Sequence, residues 1–305
     1  MGSCNQGKFI SLDENLDLDS GHALKKRNPK LKVLAVVGGW NEGSTKYSKM
    51  AADPVKRSRF ISSALAFIRK HDFDGLDLDW EYPGQRGGSS ADRANFVTLL
   101  REIKEAFEDY DLELSIAVGA SQQVAEISYD IPAISEHVTY INIMAYDYHS
   151  YKDGYLGLNA PMAEVKKTIN YWLNQGAWAD KLILGIPFYG QSYTMKRKSQ
   201  NEPGDRCIGP GDAGPFTCQE GFLSYNEILD QDWEVRELTS AYVTWDDQWV
   251  GFDSKRVVKS KMEFVKSKNL GGAMAWSIDT DYNNRLLRVM NDGLQSSESS
   301  GCEIG

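Results

Sequence analysis

The sequence predicts a parallel α/β fold, and three observations carry that prediction. Short apolar strands alternate with amphipathic helices along most of the chain. The strands read as near-continuous apolar runs, the pattern of strands covered on both faces. The alternation breaks once, between about residues 191 and 253, where Gly, Pro and aromatic residues gather around a strand-like Ala241-Tyr-Val-Thr-Trp245. Taken in order, Leu31-Lys-Val-Leu-Ala-Val-Val-Gly-Gly39 is a buried strand ending in a glycine turn. Asp53-Pro54 supplies an N-cap and a first helical residue, and Phe60, Ala64, Phe67 and Ile68 continue at helical spacing. The strand Asp74-Gly-Leu-Asp-Leu-Asp-Trp-Glu81 follows, then a helix over about 90–109 with Phe96, Leu99, Leu100, Ile103 and Phe107 on one face. Strands over 112–118, 139–145 and 181–186 come next, with a helix over 163–174 before the last of them. A helix over 254–268 leads into Gly271-Gly-Ala-Met-Ala-Trp276, which makes six parallel strands.

Composition narrows the function. The 305 residues carry 43 acids against 34 bases, a formal charge of −9, with no basic cluster longer than Lys25-Lys26-Arg27. Nucleic-acid binders need the opposite excess, because phosphate contacts require cations. No apolar run approaches the ~18 residues that span a bilayer, so membrane insertion is excluded too, and the N-terminus lacks the apolar core of a signal peptide. Of four cysteines, Cys207 and Cys218 lie eleven apart in a Gly/Pro-rich stretch and are spaced to close a disulfide loop. The four histidines show no metal spacing, and no metal or cofactor is expected. Gly209-Pro-Gly-Asp-Ala-Gly214 matches a dinucleotide fingerprint in letters only, since Pro210 and Pro215 make it a loop.

Asp77, Asp79 and Glu81 alternate with Leu76, Leu78 and Trp80, so a strand of period two puts all three carboxyls on one face. Clustered acids repel and lose hydration, so stability alone disfavours the arrangement on an interior strand. Two chemistries suit it: a hard-metal site, or acid/base work in which crowding raises one carboxyl's pKa towards neutrality. Glu81 stands nearest the strand's C-terminal end, where barrel enzymes present the reacting group. Aromatic residues near strand ends, including Trp40, Tyr146 and Trp276, suit stacking on a sugar ring.

Asp74-Gly-Leu-Asp-Leu-Asp-Trp-Glu81 resembles the D-G-x-D-x-D-W-E signature of the chitinases of glycoside hydrolase family eighteen, and Tyr-Pro-Gly follows as in animal members. Val37-Gly-Gly-Trp40, Met144-Ala-Tyr-Asp147, Gly185-Ile-Pro-Phe-Tyr-Gly190 and Gly272-Ala-Met-Ala-Trp276 resemble further family segments in the family's order. The stretch from Gly214-Pro-Phe-Thr through Leu223-Ser-Tyr-Asn-Glu227 to Gln248-Trp-Val-Gly-Phe-Asp253 is similar to its α+β insertion. The resemblance implies a TIM (β/α)8-type barrel and hydrolysis of β-1,4-linked N-acetylglucosamine polymers, chitin or its oligosaccharides. It implies Glu81 as proton donor, the substrate's own acetamide as nucleophile, and retention. Asp79 would orient the acetamide, Asp77 would keep Asp79 poised, and Tyr146 and Asp147 would hold the N-acetyl group. Trp276 would stack beneath the sugar, with Met144 and Met274 lining its pocket. Trp40 and Asn41 would serve distant subsites, and Tyr242 would reach over from the insertion. An extracellular setting is implied as well. The rival readings are an inactive oligosaccharide-binding lectin of the same fold and an endoglycosidase acting on N-linked glycans; retention of Glu81 argues for catalysis.

Two departures from the family stand out. Asp147-Tyr-His-Ser-Tyr-Lys152 lacks the family's Trp, leaving Tyr151 as its stand-in. A closed ring needs eight strands, and residues 1–30 offer only Phe9-Ile10 and scattered leucines. The expected architecture is therefore a barrel lacking its first two strands. Its organisation would be a lead-in segment over 1–30, the barrel over 31–190 and 254–292, the insertion over 191–253, and a disordered tail over 293–305. A fragment of a longer gene product is the preferred explanation, ahead of a gap filled by a partner chain or a non-catalytic relative.

Overall fold

The structure is a computed structural model describing residues 2–5, 8–11, 18–229, 235–237 and 240–295, with side chains from residue 23 onward. The chain divides into two compact units, one comprising residues 1–144 and 171–182, the other 145–170 and 183–305.

The first unit opens with a hairpin of β1 (Gly2–Asn5) and β2 (Lys8–Ser11), then α1 (Leu18–Arg27). Next come β3 (Leu34–Gly38), α2 (Thr45–Ala51), α3 (Pro54–Lys70), β4 (Gly75–Asp79), α4 (Asp92–Glu108) and β5 (Glu113–Gly119). The short helices α5 (Gln122–Ser128) and α6 (Ile131–His137) precede β6 (Tyr140–Met144). Strands β3 to β6 pair in parallel in chain order, as alternating strands and helices require. The Asp53 carboxylate caps α3 by accepting from the N–H groups of Val55 and Lys56, with Pro54 at the first turn as expected. Helix α3 packs on β4 and α4 on β5, and the five apolar positions read from the sequence of α4 are all buried.

One expectation needs correction here. The lead-in segment expected over 1–30 carries strands: β1 runs parallel to β3, with Gly2 opposite Val37, and β2 folds back antiparallel on β1. The unpaired backbone of an edge strand is a template for any extended segment, and it recruits these short strands although they carry little apolar alternation.

The second unit contains β7 (Leu182–Pro187) from Ile183 onward, approached through α7 (Met162–Asn174). There follows an antiparallel sheet built from β8 (Tyr189–Met195), β9 (Cys207–Pro210), β10 (Phe222–Ser224), β11 (Val235–Glu237), β12 (Ala241–Trp245) and β13 (Gln248–Phe252), with the short α8 (Tyr225–Leu229) after β10. Strand order is β10-β8-β13-β12-β11, with β9 on β8. Helix α9 (Lys255–Ser267) leads to β14 (Gly272–Trp276), parallel to β7, and α10 (Arg285–Gln295) follows. Ser254 caps α9, and the fully buried Asp253 and Lys261 pair between the end of β13 and α9. All six expected parallel strands are present, β3 to β7 and β14, and the antiparallel sheet interrupts them before the last. The fold is therefore of the (β/α)8-barrel class, with these six strands among the described residues and an α+β insertion.

Three further expectations are resolved by burial and pairing. Cys207 and Cys218 are both free thiols; Cys207 is buried with its Sγ 3.6 Å from the Tyr151 carbonyl, Cys218 is exposed beside the Pro215 carbonyl, and no disulfide joins them. Gly293 to Gln295, expected in a tail, complete the last turn of α10, and the rest of that tail lies outside the described residues. The loop following Gly209 does begin on a strand, β9, yet no helix follows it.

Candidate active site

Strand β4 separates its side chains as the period of two requires. Leu76, Leu78 and Trp80 are buried on the helix side. Trp80 stacks with Tyr47, meets Phe96 edge-on, and donates its indole N–H to Ser44 Oγ at 3.0 Å. Asp74, the first acid of the motif, is structural: it accepts the Val33 N–H at 2.7 Å and pairs with Lys25 of α1 at 3.1 Å.

Asp77, Asp79 and Glu81 take the other side. Asp77 Oδ1 accepts from Ser115 on the adjacent strand and from Asn142 Nδ2 at 3.1 Å. Burial pushes the Asp77 carboxyl up, and those two donors hold it back. Asp79, only 9% exposed, is raised from 3.8 to about 8, first by burial and then by the neighbouring charges of Glu81 and Asp77. Its buried Oδ1 meets no hydrogen-bond partner among the described residues. Glu81 is 8% exposed and lies just beyond the strand's last hydrogen-bonded residue. Gly38 explains how neighbouring backbone fits so closely: a Cβ there would stand 1.9 Å from the Asp79 carbonyl, at a φ of +118°. Gly39 N–H donates to that same carbonyl at 2.8 Å. A carboxyl that keeps its proton near neutral pH beside a second carboxyl can trade protons and oppose developing positive charge. Among the described residues no cluster of His, Cys, Asp and Glu is arranged to hold a metal ion.

The remaining first-unit candidates sit at strand ends. Trp40 and Asn41 start a single 3-10 turn after β3, Trp40 being 57% exposed, and Met144 ends β6. In the second unit Tyr146 and Asp147 lie within three residues of that point in sequence. Asp147 Oδ1 accepts from Tyr189 Oη at 2.7 Å and Gln191 Nε2 at 2.6 Å, and the Tyr146 ring meets Tyr189 edge-on. The Asp147 N–H is held by Asn159 Oδ1 at 2.9 Å, and Asn159 Nδ2 reaches the Tyr189 carbonyl. Met274 and Trp276 stand on β14, Trp276 with an exposed indole and its carbonyl accepting from Phe188 N–H.

Tyr242 is a correction. It is 1% exposed inside the antiparallel sheet, stacked on Trp249, with its hydroxyl donating to Glu202 at 2.7 Å. An aromatic ring committed to that core does not reach a ligand. Tyr151 also packs against this core, beside Tyr193 and Trp249.

Sequence reading passed over the groups that support these acids. Ser115 and Asn142 were detectable as polar residues in otherwise apolar buried strands; Tyr189 stood inside a segment already singled out, and Gln191 one residue past it.

An acid ladder at a strand end on a parallel βα scaffold defines a protein with an acid/base type of site. The chain belongs to the glycosyl hydrolases family 18, whose model matches residues 4–281. It is 42% identical to a probable chitinase 2 of Drosophila melanogaster and 37% identical to chitotriosidase-1 of Mus musculus, each over 85% of this chain. It spans 58% and 61% of those relatives' lengths. The Group IV chitinase of Ostrinia furnacalis superposes with a TM-score of 0.93 at 38% identity, over 97% of this chain and 90% of that one. Human YKL-39, described as a pseudo-chitinase with retained chitooligosaccharide binding, superposes with a TM-score of 0.91 at 31% identity, over 97% and 90%.

Proposed function

We propose that this chain hydrolyses β-1,4-linked N-acetylglucosamine polymers, with Glu81 as general acid and then general base. The observation that carries the reading is the Asp77–Asp79–Glu81 ladder, with an Asp79 carboxyl raised to about 8 and a buried oxygen without a hydrogen-bond partner among the described residues. Glu81 protonates the glycosidic oxygen as the bond to C1 breaks. The carbonyl oxygen of the substrate's own N-acetyl group closes on C1, giving an oxazolinium ion, and water activated by Glu81 then opens it with net retention. Asp79 orients the acetamide and, once it shares its proton with Asp77, opposes the positive charge that grows on it; Asp77 is anchored by Ser115 and Asn142. Tyr146, Asp147, Trp40, Asn41, Met144, Met274 and Trp276 are each assigned to the sugar residue by residue, through the family resemblance. An extracellular setting is part of the reading, and recovery of the protein from the medium of expressing cells tests it.

The test is release of a fluorophore from an N-acetylglucosamine oligomer by the parent and by Glu81→Gln. Turnover by the parent and its collapse in the variant support the proposal; equal rates sink it. The second reading is an oligosaccharide-binding protein without turnover, favoured by the likeness to YKL-39. Thermal stabilisation by the oligomer with no product released from the parent selects it.

A further inference from the structure

We propose that Arg86 is a positioning residue that joins the Trp40 platform to the turn carrying Glu81. This rests on the reading of Trp40 as a sugar-stacking residue and Glu81 as proton donor. The Arg86 guanidinium carbon lies 3.6 Å from the centroid of the Trp40 ring, the separation of a cation laid flat on an aromatic face. Trp40 remains 57% exposed with Arg86 over its ring, which leaves indole surface for a ligand ring. The same guanidinium donates from Nη1 to the main-chain carbonyl of Glu81 at 3.0 Å. One planar group thus touches both the outlying platform and the backbone of the proposed proton donor.

The loop that presents Arg86 is held from several sides. The fully buried Asp92, first residue of α4, accepts from Gly84 N–H at 3.1 Å, Ser89 N–H at 2.8 Å and Ser48 Oγ at 2.7 Å. Thr45 Oγ1 donates to the Gly87 carbonyl at 3.3 Å, and Ser44 Oγ donates to the Tyr82 carbonyl at 2.8 Å. Segments 40–48 and 80–92 are therefore knitted together, and a guanidinium fixed between them cannot follow Trp40 without pulling on the Glu81 carbonyl. A planar guanidinium combines a face-on stack with a directed N–H bond in one fixed geometry, which a compact ammonium on a flexible stem does not reproduce. Occupation of Trp40 is in this way coupled to the placement of Glu81.

A double-substitution cycle tests it, with chitohexaose as the probe and the parent compared with Arg86→Ala, Arg86→Lys, Trp40→Ala and the Arg86→Ala/Trp40→Ala pair. Affinity is read by calorimetry in a Glu81→Gln background, and kcat and KM in proteins that keep Glu81. Arg86→Ala is expected to weaken binding about two- to tenfold, and the double variant to bind no more weakly than the worse single one. Arg86→Ala is also expected to lower kcat, whereas Trp40→Ala acts mainly on KM, and Arg86→Lys rescues neither fully. Additive losses in binding, or parent-like affinity and kcat in a folded Arg86→Ala, overturn the inference. If melting curves show Arg86→Ala unfolded, Arg86→Lys and Arg86→Gln carry the same comparison. Binding by the parent without hydrolysis defeats the catalytic reading and leaves the affinity cycle to decide the coupling to Trp40. No binding by the parent defeats both.

Discussion

Asp79 in the first unit and Glu227 in the second are both buried carboxylates, 9% and 8% exposed, and they live in opposite surroundings. Glu227 is fully served: it accepts from the N–H groups of Phe216, Thr217 and Ser224 at 2.6, 2.9 and 2.9 Å and from the Thr217 and Ser224 hydroxyls at 3.0 and 2.7 Å. Burial works against its charge, but those donors hold its carboxyl below the usual range. A Cβ on Gly214 would stand 2.2 Å from Glu227 Oε1, so even the small residue opposite makes room for the clip. Asp79 has the reverse: two acids nearby, one buried oxygen without a hydrogen-bond partner among the described residues, and a carboxyl pushed up to about 8. One carboxylate is a fastener for the loop before α8; the other is kept uncomfortable. A fold that satisfies a buried acid so thoroughly in one place and starves it in another points to a task for the starved one.

The strongest way to break that contrast is at the end of the ladder. Glu81→Gln keeps shape and removes the ionisable group, and hydrolysis should fall by about 10²- to 10⁴-fold while the melting temperature barely moves. Rate measurements with the fluorogenic oligomer, alongside thermal denaturation, check both halves. A large loss of stability with little loss of rate would make the ladder a structural feature like Glu227.

The second prediction works from the other side. Glu227→Ala leaves several buried donors to find water or nothing, and should cost about 3 kcal/mol of stability, read as a lower denaturant midpoint. Because the folded pKa is depressed, the parent's extra stability is present above the ordinary glutamate range and disappears as pH falls through it. The difference between parent and Glu227→Ala should therefore shrink below about pH 4. A difference that stays constant with pH would assign the effect to packing alone.

The contrast also shows what was legible. The ladder could be read because period two is local: Leu76, Leu78 and Trp80 dictate which way Asp77, Asp79 and Glu81 must point. The six parallel strands were legible for the same reason, each being a short apolar run between helices of fitting period. Partnership was not legible where it crosses sequence. Tyr242 was assigned through the resemblance to reach over from the insertion, and nothing in Ala241-Tyr-Val-Thr-Trp245 reveals that Trp249 and Glu202 claim its ring and hydroxyl. Cys207 and Cys218 looked paired because spacing carries no direction, and the structure turns one inward and the other to solvent. The hairpin of β1 and β2 escaped notice because its pairing is dictated by the open edge of β3 rather than by its own residues.

The sharpest test of the comparison reads the sign of a single proton. In the folded protein Asp79 keeps its proton to about pH 8, whereas in the unfolded chain it is released near the ordinary value of 3.8. Between those limits the folded state binds more protons than the unfolded one, so raising the pH across the window lowers stability, the opposite of the Glu227 case. Asparagine in place of Asp79 cannot ionise and should flatten that decline. Relative to the parent, Asp79→Asn should gain stability steadily between pH 4.5 and pH 8, at up to about 1.4 kcal/mol per pH unit, read as a widening difference in melting temperature. Parallel melting curves across that range would show that Asp79 ionises like an ordinary aspartate, and the contrast with Glu227 would collapse. Asp77→Asn should act in the same direction, because burial pushes the Asp77 carboxyl up as well, against the hydrogen bonds from Ser115 and Asn142.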